Sequence, residues 1–90
     1  MKKPTILKCI ITGEEGLKFN PRGIGMQPRY LAKTQDGEKI SIEKNEKISL
    51  ETGQKIEIYR TPSNLGFSYT DYLKSGEELI HIIVETELIQ

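Results

Sequence analysis

The chain has one cysteine, Cys9, one histidine, His81, and no tryptophan among its 90 residues. A single cysteine excludes a disulfide within the chain, and one Cys with one His cannot make up a Cys/His zinc set. A domain this short buries a smaller share of its surface than a larger one, and often leans on a disulfide, a metal or a second copy of itself. With the first two excluded, the pattern predicts a homo-oligomer. No apolar run approaches membrane-spanning length. Thr5-Ile6-Leu7 after Lys2-Lys3 starts like a secretion signal, but Lys8 interrupts it and occupies the position before Cys9 where a small residue is wanted. These features predict a cytoplasmic protein without a membrane partner, in which Cys9 is a buried, reduced thiol.

Charge of one sign is lacking too. The 13 Lys and Arg balance 13 Asp and Glu, which argues against a dedicated nucleic-acid binder. The distribution is less even. Residues 1–45 carry nine basic and five acidic side chains, residues 46–90 four and eight. Such asymmetry either drives head-to-tail association, leaves a basic face for an anion, or cancels when the halves fold together.

What the chain does have is alternation. Residues 5–12 read as a strand with Leu7, Cys9 and Ile11 on one face and Ile6 and Ile10 on the other, which predicts a central place in a sheet. Gly13-Glu14-Glu15-Gly16 reads as a turn. Residues 30–35 resume as a strand, and Asp36-Gly37 is the best hairpin turn. Lys39-Ile40-Ser41-Ile42-Glu43, Lys47-Ile48-Ser49-Leu50-Glu51 and Lys55-Ile56-Glu57-Ile58-Tyr59 are near-copies at a spacing of eight residues. Their period of two predicts a three-strand meander over 39–59, with Ile40, Ile42, Ile48, Leu50, Ile56 and Ile58 on one core. On the other face antiparallel pairing sets a Lys beside a Glu of its neighbour, so the charges read as register control.

Residues 65–69 read as a short strand, and 70–74 as one helical turn ended by Gly76. Leading into 77–90, Ser75 and Glu78 have the form of a helix capping box, but the alternation Ile80, Ile82, Val84, Thr86, Leu88 predicts a long strand. Too apolar to stand as a bare edge, it is expected to be central or paired with another chain. The fold class is therefore mainly β. It is one domain over 1–90, a small antiparallel barrel or sandwich of about five to seven strands, with the 39–59 meander and at most one short helix.

Acyl transfer and hydrolysis need a nucleophile beside a base. Cys9 and His81 are the only such pair of Cys and His, and each sits within an apolar strand, where a thiol is inert. Acidic pairs such as Glu14-Glu15 follow no metal-loop pattern. No enzyme, cofactor or metal is expected.

Residues 13–29 are the long irregular stretch, and loops of more than about 12–15 residues are uncommon in compact domains unless functional or disordered. Gly23-Ile24-Gly25 is not a dinucleotide fingerprint, because Pro28 replaces the third glycine, and no Gly-Lys-Ser/Thr makes a P-loop. Gly23 and Gly25 do permit close backbone approach. Arg22 and Arg29 flank them with planar forks suited to phosphate or carboxylate. Tyr30 is placed to stack on a base, and Arg60 and Tyr69 are placed as an opposite wall. The candidate ligand site is thus Arg22, Gly23, Gly25, Arg29, Tyr30, Arg60 and Tyr69. The competing structural account has the arginines paired with Glu14, Glu15 or a C-terminal carboxylate.

The functional expectation is a non-enzymatic protein that captures a small anionic, nucleotide-like ligand. In size and in lacking a catalytic set it is similar in general character to small phage-encoded proteins that sequester host nucleotide signals. The alternative is a protein–protein interaction module, an inhibitor or small assembly subunit, acting through the long loop or the C-terminal strand.

Overall fold

The computed structural model describes residues 4–15, 28–62 and 69–86. They form seven strands: β1 (Thr5–Glu15), β2 (Arg29–Thr34), β3 (Lys39–Glu43), β4 (Lys55–Pro62), β5 (Tyr69–Ser75), β6 (Glu78–Ile82) and β7 (Val84–Thr86). All neighbours run antiparallel, in the order β6-β5-β4-β1-β2-β3-β7, with no helix among the described residues. The expected all-β, barrel-like class is what the chain adopts.

The sheet curls, and its connectivity shows why. β6 ends at Ile82 and β7 begins at Val84, so the two edges of the sheet are separated by Ile83 alone. A flat sheet of seven strands holds its edges roughly 30 Å apart. One short segment can serve both edges only if the sheet rolls until they approach. Ile83 marks the switch of partner, and its carbonyl accepts the Glu43 N–H at 2.9 Å. The expectation of one long C-terminal strand, central or paired with another chain, is corrected in its length and in its central place. Residues 78–86 form two short pieces at opposite edges, each paired on one side among the described residues. Residues 87–90 lie outside the description.

Alternation decides which face turns inward. Cys9, Ile11, Tyr30, Ala32, Ile40, Ile42, Ile56, Ile58, Leu73 and Ile82 are buried, and Ile11, Ile42 and Ile58 are almost fully enclosed. β1 is central as its two apolar faces predicted, but the second face is not covered: Ile6 and Ile10 are exposed. The turn expected at residues 13–16 is not formed over Gly13–Glu15, because β1 runs on to Glu15 past an irregularity in pairing between Ile11 and Gly13, and Gly16 lies outside the described residues. The Asp36-Gly37 hairpin is present. Gly37 takes φ 90°, and Thr34 closes the turn by accepting the Gly37 N–H at 2.9 Å and donating to the Glu38 carbonyl at 2.8 Å.

The meander is not formed. β3 and β4 are separated in the sheet by β2 and β1, and residues 47–51 are not a strand. Residues 44–54 instead cross from β3 to β4, and Ile48 and Leu50 still turn into the core, at 8% and 6% exposure. The three near-copies share a burial pattern without sharing a pairing, since period two reports which face is inward and says nothing of the neighbour. The Lys–Glu ladder fails with the meander. Lys39 faces Lys33, Lys55 faces Ile10, and the opposite-charge pairs in register are Arg29 with Glu15 and Glu43, Lys8 with Glu57, and Arg60 with Asp71. The helical turn at 70–74 is strand β5, whose hairpin with β6 turns at Gly76, φ 62°.

Candidate functional site

The sequence-predicted site divides three ways. Arg22, Gly23 and Gly25 lie outside the described residues. Arg29 is neutralised at home: its Nη1 lies 2.7 Å from Glu85 Oε2, its Nη2 donates to Glu85 Oε1 at 3.0 Å, and Nη1 also donates to Ser41 Oγ at 3.2 Å. Its pKa rises above the ordinary arginine value, chiefly through the hydrogen bond to Glu85, with Glu43 and Glu15 adding to the field. This is the C-terminal carboxylate pairing of the structural account. Tyr30 is 6% exposed and belongs to the core, so its ring is not open to a base. Lys44 Nζ caps that ring at 4.9 Å from the centroid while it pairs with Glu14 at 3.3 Å.

Arg60 and Tyr69 do come together. The guanidinium lies 4.9 Å from the Tyr69 ring centroid, and Tyr69 is exposed. The guanidinium is also committed to Asp71, which sits opposite it in register: Nε to Oδ1 at 2.9 Å and Nη2 to Oδ2 at 3.4 Å. That hydrogen bond raises the Arg60 pKa above its ordinary value. With its fork filled by Asp71, Arg60 stabilises the joint of β4 and β5.

Cys9 and His81 are apart in the fold. Cys9 points inward from β1, His81 is exposed on β6, and β4 and β5 lie between those strands. Burial pushes the Cys9 thiol up to about 11, against a lowering by Arg60 and with a further rise from Glu38. No group of three or more His, Cys, Asp or Glu side chains among the described residues could hold a metal ion.

The register assembles a different surface, on the outer face. Reading across the strands, Ile6 pairs with Tyr59, Tyr59 with Tyr72 and Tyr72 with His81, so four strands contribute one transverse row. The Tyr72 and His81 rings are 5.8 Å apart at 58°, and Lys74 Nζ stands 5.9 Å from the Tyr59 ring centroid. Two residues further along the strands, Lys8 pairs with Glu57, and Lys74 pairs with the exposed Leu79. Beyond Lys8 comes a third row, in which Lys39 pairs with Lys33, Lys33 with Ile10, and Ile10 with Lys55.

Lys8, Lys33, Lys39 and Lys55 have no ion-pair partner among the described residues. Like charges placed directly opposite on neighbouring strands destabilise a sheet. Lys8, Ile10, Lys33, Lys55 and Glu57 line a groove of about 520 Å³. The sequence held one signal for this surface. Read as a hairpin, Ser75-Gly76-Glu77-Glu78 sets Tyr72 opposite His81, because Gly at the first turn position suits a two-residue loop.

No protein-family model, curated protein or solved structure matches the chain.

Proposed function

We propose that the protein is a non-enzymatic binding module that captures an anion of nucleotide-like size on the outer face of β1, β2 and β4. One observation carries the reading: Lys33 and Lys39 stand directly opposite each other, with Lys55 across Ile10, and none of the three has a carboxylate partner among the described residues. Cations held on adjacent strands without a carboxylate partner among the described residues create a positive field before any ligand arrives, and an anion relieves their mutual repulsion. The groove of about 520 Å³ falls within the range of small-molecule sites.

Isothermal calorimetry on the full chain with inorganic phosphate, ADP and ATP tests the reading. Binding that is lost in a Lys33→Glu/Lys55→Glu double variant supports it. Binding that is unchanged there but lost in Arg22→Ala moves the site to residues 16–27, and no heat with any of the three ligands removes the anion reading.

A second reading rests on the edges. β6 and β7 each have one side unpaired among the described residues, and unpaired strand edges accept a partner's strand. Co-purification of a stoichiometric protein partner that is lost on replacing Leu79 by Pro favours that reading over anion capture.

A further inference from the structure

We infer that the outer face of β1, β4, β5 and β6 is a platform for single-stranded nucleic acid, with bases on the Tyr59–Tyr72–His81 row and phosphates on the lysines beside it. This rests on the lysine rows being an anion site, and it names the anion.

A mononucleotide needs one ring and one charge. This face repeats both. Tyr59, Tyr72 and His81 are successive cross-strand neighbours, which places their side chains at intervals of roughly 5 Å across the sheet. Lys8 and Lys74 lie one row away, roughly 7 Å along the strands. The Lys33 and Lys55 row follows at about twice that distance. Aromatic faces beside a cationic track are the two components by which single strands are held without base-specific hydrogen bonds. Glu57, opposite Lys8, is the carboxylate within these rows, set against Lys8, Lys33, Lys39, Lys55 and Lys74. Near-zero net charge argues against nucleic acid in the sequence, but the fold brings five lysines into two rows of one face. Glu15, Glu43 and Glu85 gather around Arg29, with Glu85 one row beyond the Lys33 and Lys39 pair.

The stacking surface is also partly set in place before binding. Tyr72 leans on His81, and Lys74 stands over Tyr59. Ile6 and Leu79, both exposed, extend the apolar margin on either side. A single strand lays its bases against such a margin, whereas a duplex keeps its base faces stacked inside and meets the lysines alone.

The test is fluorescence anisotropy with the full chain and a labelled ten-nucleotide oligothymidylate, with the matching duplex and ATP as competitors. The single strand is expected to bind at least tenfold more tightly than either competitor. Neutralising three phosphates predicts about a 20-fold loss of affinity between 50 and 200 mM salt. Tyr72→Leu and His81→Ala are each expected to weaken the oligonucleotide fivefold or more and to leave phosphate binding unchanged. His81 and Lys8 are exposed, so His81→Ala and Lys8→Glu test the platform even where a tyrosine variant fails to fold. Equal affinity for strand and duplex, or indifference to both His81→Ala and Lys8→Glu, overturns the inference. If ATP binds and is lost with Lys33→Glu while the oligonucleotide binds no tighter, the anion reading stands and this inference falls. If neither ligand binds, both fall.

Discussion

Arg60 and Asp71 face each other in register across β4 and β5 and share two hydrogen bonds, with the Asp71 side chain 7% exposed and that of Arg60 21% exposed. A pair this enclosed is asymmetric in its energetics. Together the two charges roughly offset their desolvation, while either one alone is left uncompensated. Asp71→Ala is expected to cost about 3 kcal/mol, and an Arg60→Met/Asp71→Leu double variant to recover more than half of it. Urea denaturation of the three proteins checks this. A double variant no more stable than Asp71→Ala would show that the pair stabilises the fold outright.

Lys33 and Lys39 set up the opposite situation, two like charges in one cross-strand pair. If the row is kept for binding, removing it should help the fold. Lys39→Glu converts repulsion into attraction and is expected to stabilise the chain by about 0.5 kcal/mol. The same substitution should weaken phosphate binding severalfold. A thermal melt and a phosphate titration on one sample read both effects. Loss of stability would show that Lys39 makes a favourable contact which the register does not reveal.

Much of the fold was legible in the sequence because burial and period are local. Alternation alone puts Ile40, Ile42, Ile48, Leu50, Ile56 and Ile58 in the core, and all six are buried. Pairing was not legible, because the same alternation suits any neighbour. Three near-copies read as a meander, and the turn that separates the second from the third instead belongs to a crossing segment held by Ile11, whose carbonyl accepts the Gly53 N–H at 2.7 Å. The site followed the same division. Arg29 stands out by its type and neighbours in sequence, yet Glu85, 56 residues away, takes its guanidinium. The outer row of Tyr59, Tyr72 and His81 exists only once three strands are in register. Local pattern alone puts Tyr72 in a helical turn and His81 in a long strand, central or paired with another chain.

Ile48 and Leu50 offer a direct test of the crossing segment. As buried residues outside any strand, they bind residues 44–54 to the core. Leu50→Ala is expected to cost about 3 kcal/mol. Ile6→Ala, on an exposed position of β1, should cost less than about 1 kcal/mol. Hydrogen exchange should show residues 47–51 opening well before β1 in the Leu50→Ala protein and not in the Ile6→Ala protein. Equal costs at the two sites would remove the segment from the core.

Cys9 gives a prediction in pH. The neutral thiol is what the folded interior favours, since burial raises its pKa from 9.0 to about 11. Near pH 8 the folded protein therefore carries about a hundredfold less thiolate than an unperturbed cysteine does, and alkylation by iodoacetamide should be slower by at least that factor than in the urea-unfolded chain. The sign of the linkage follows from which state holds its proton longer. The unfolded chain releases the proton near pH 9 and the folded chain near pH 11, so the contribution to stability is fully present below pH 9. It declines as pH rises between those values and is gone above the higher one. In Cys9→Ala the decline should vanish, against a lower baseline from the lost burial. Stability measured from pH 8 to pH 11 in both proteins decides the matter: parallel curves would mean that the thiol is not the group that titrates.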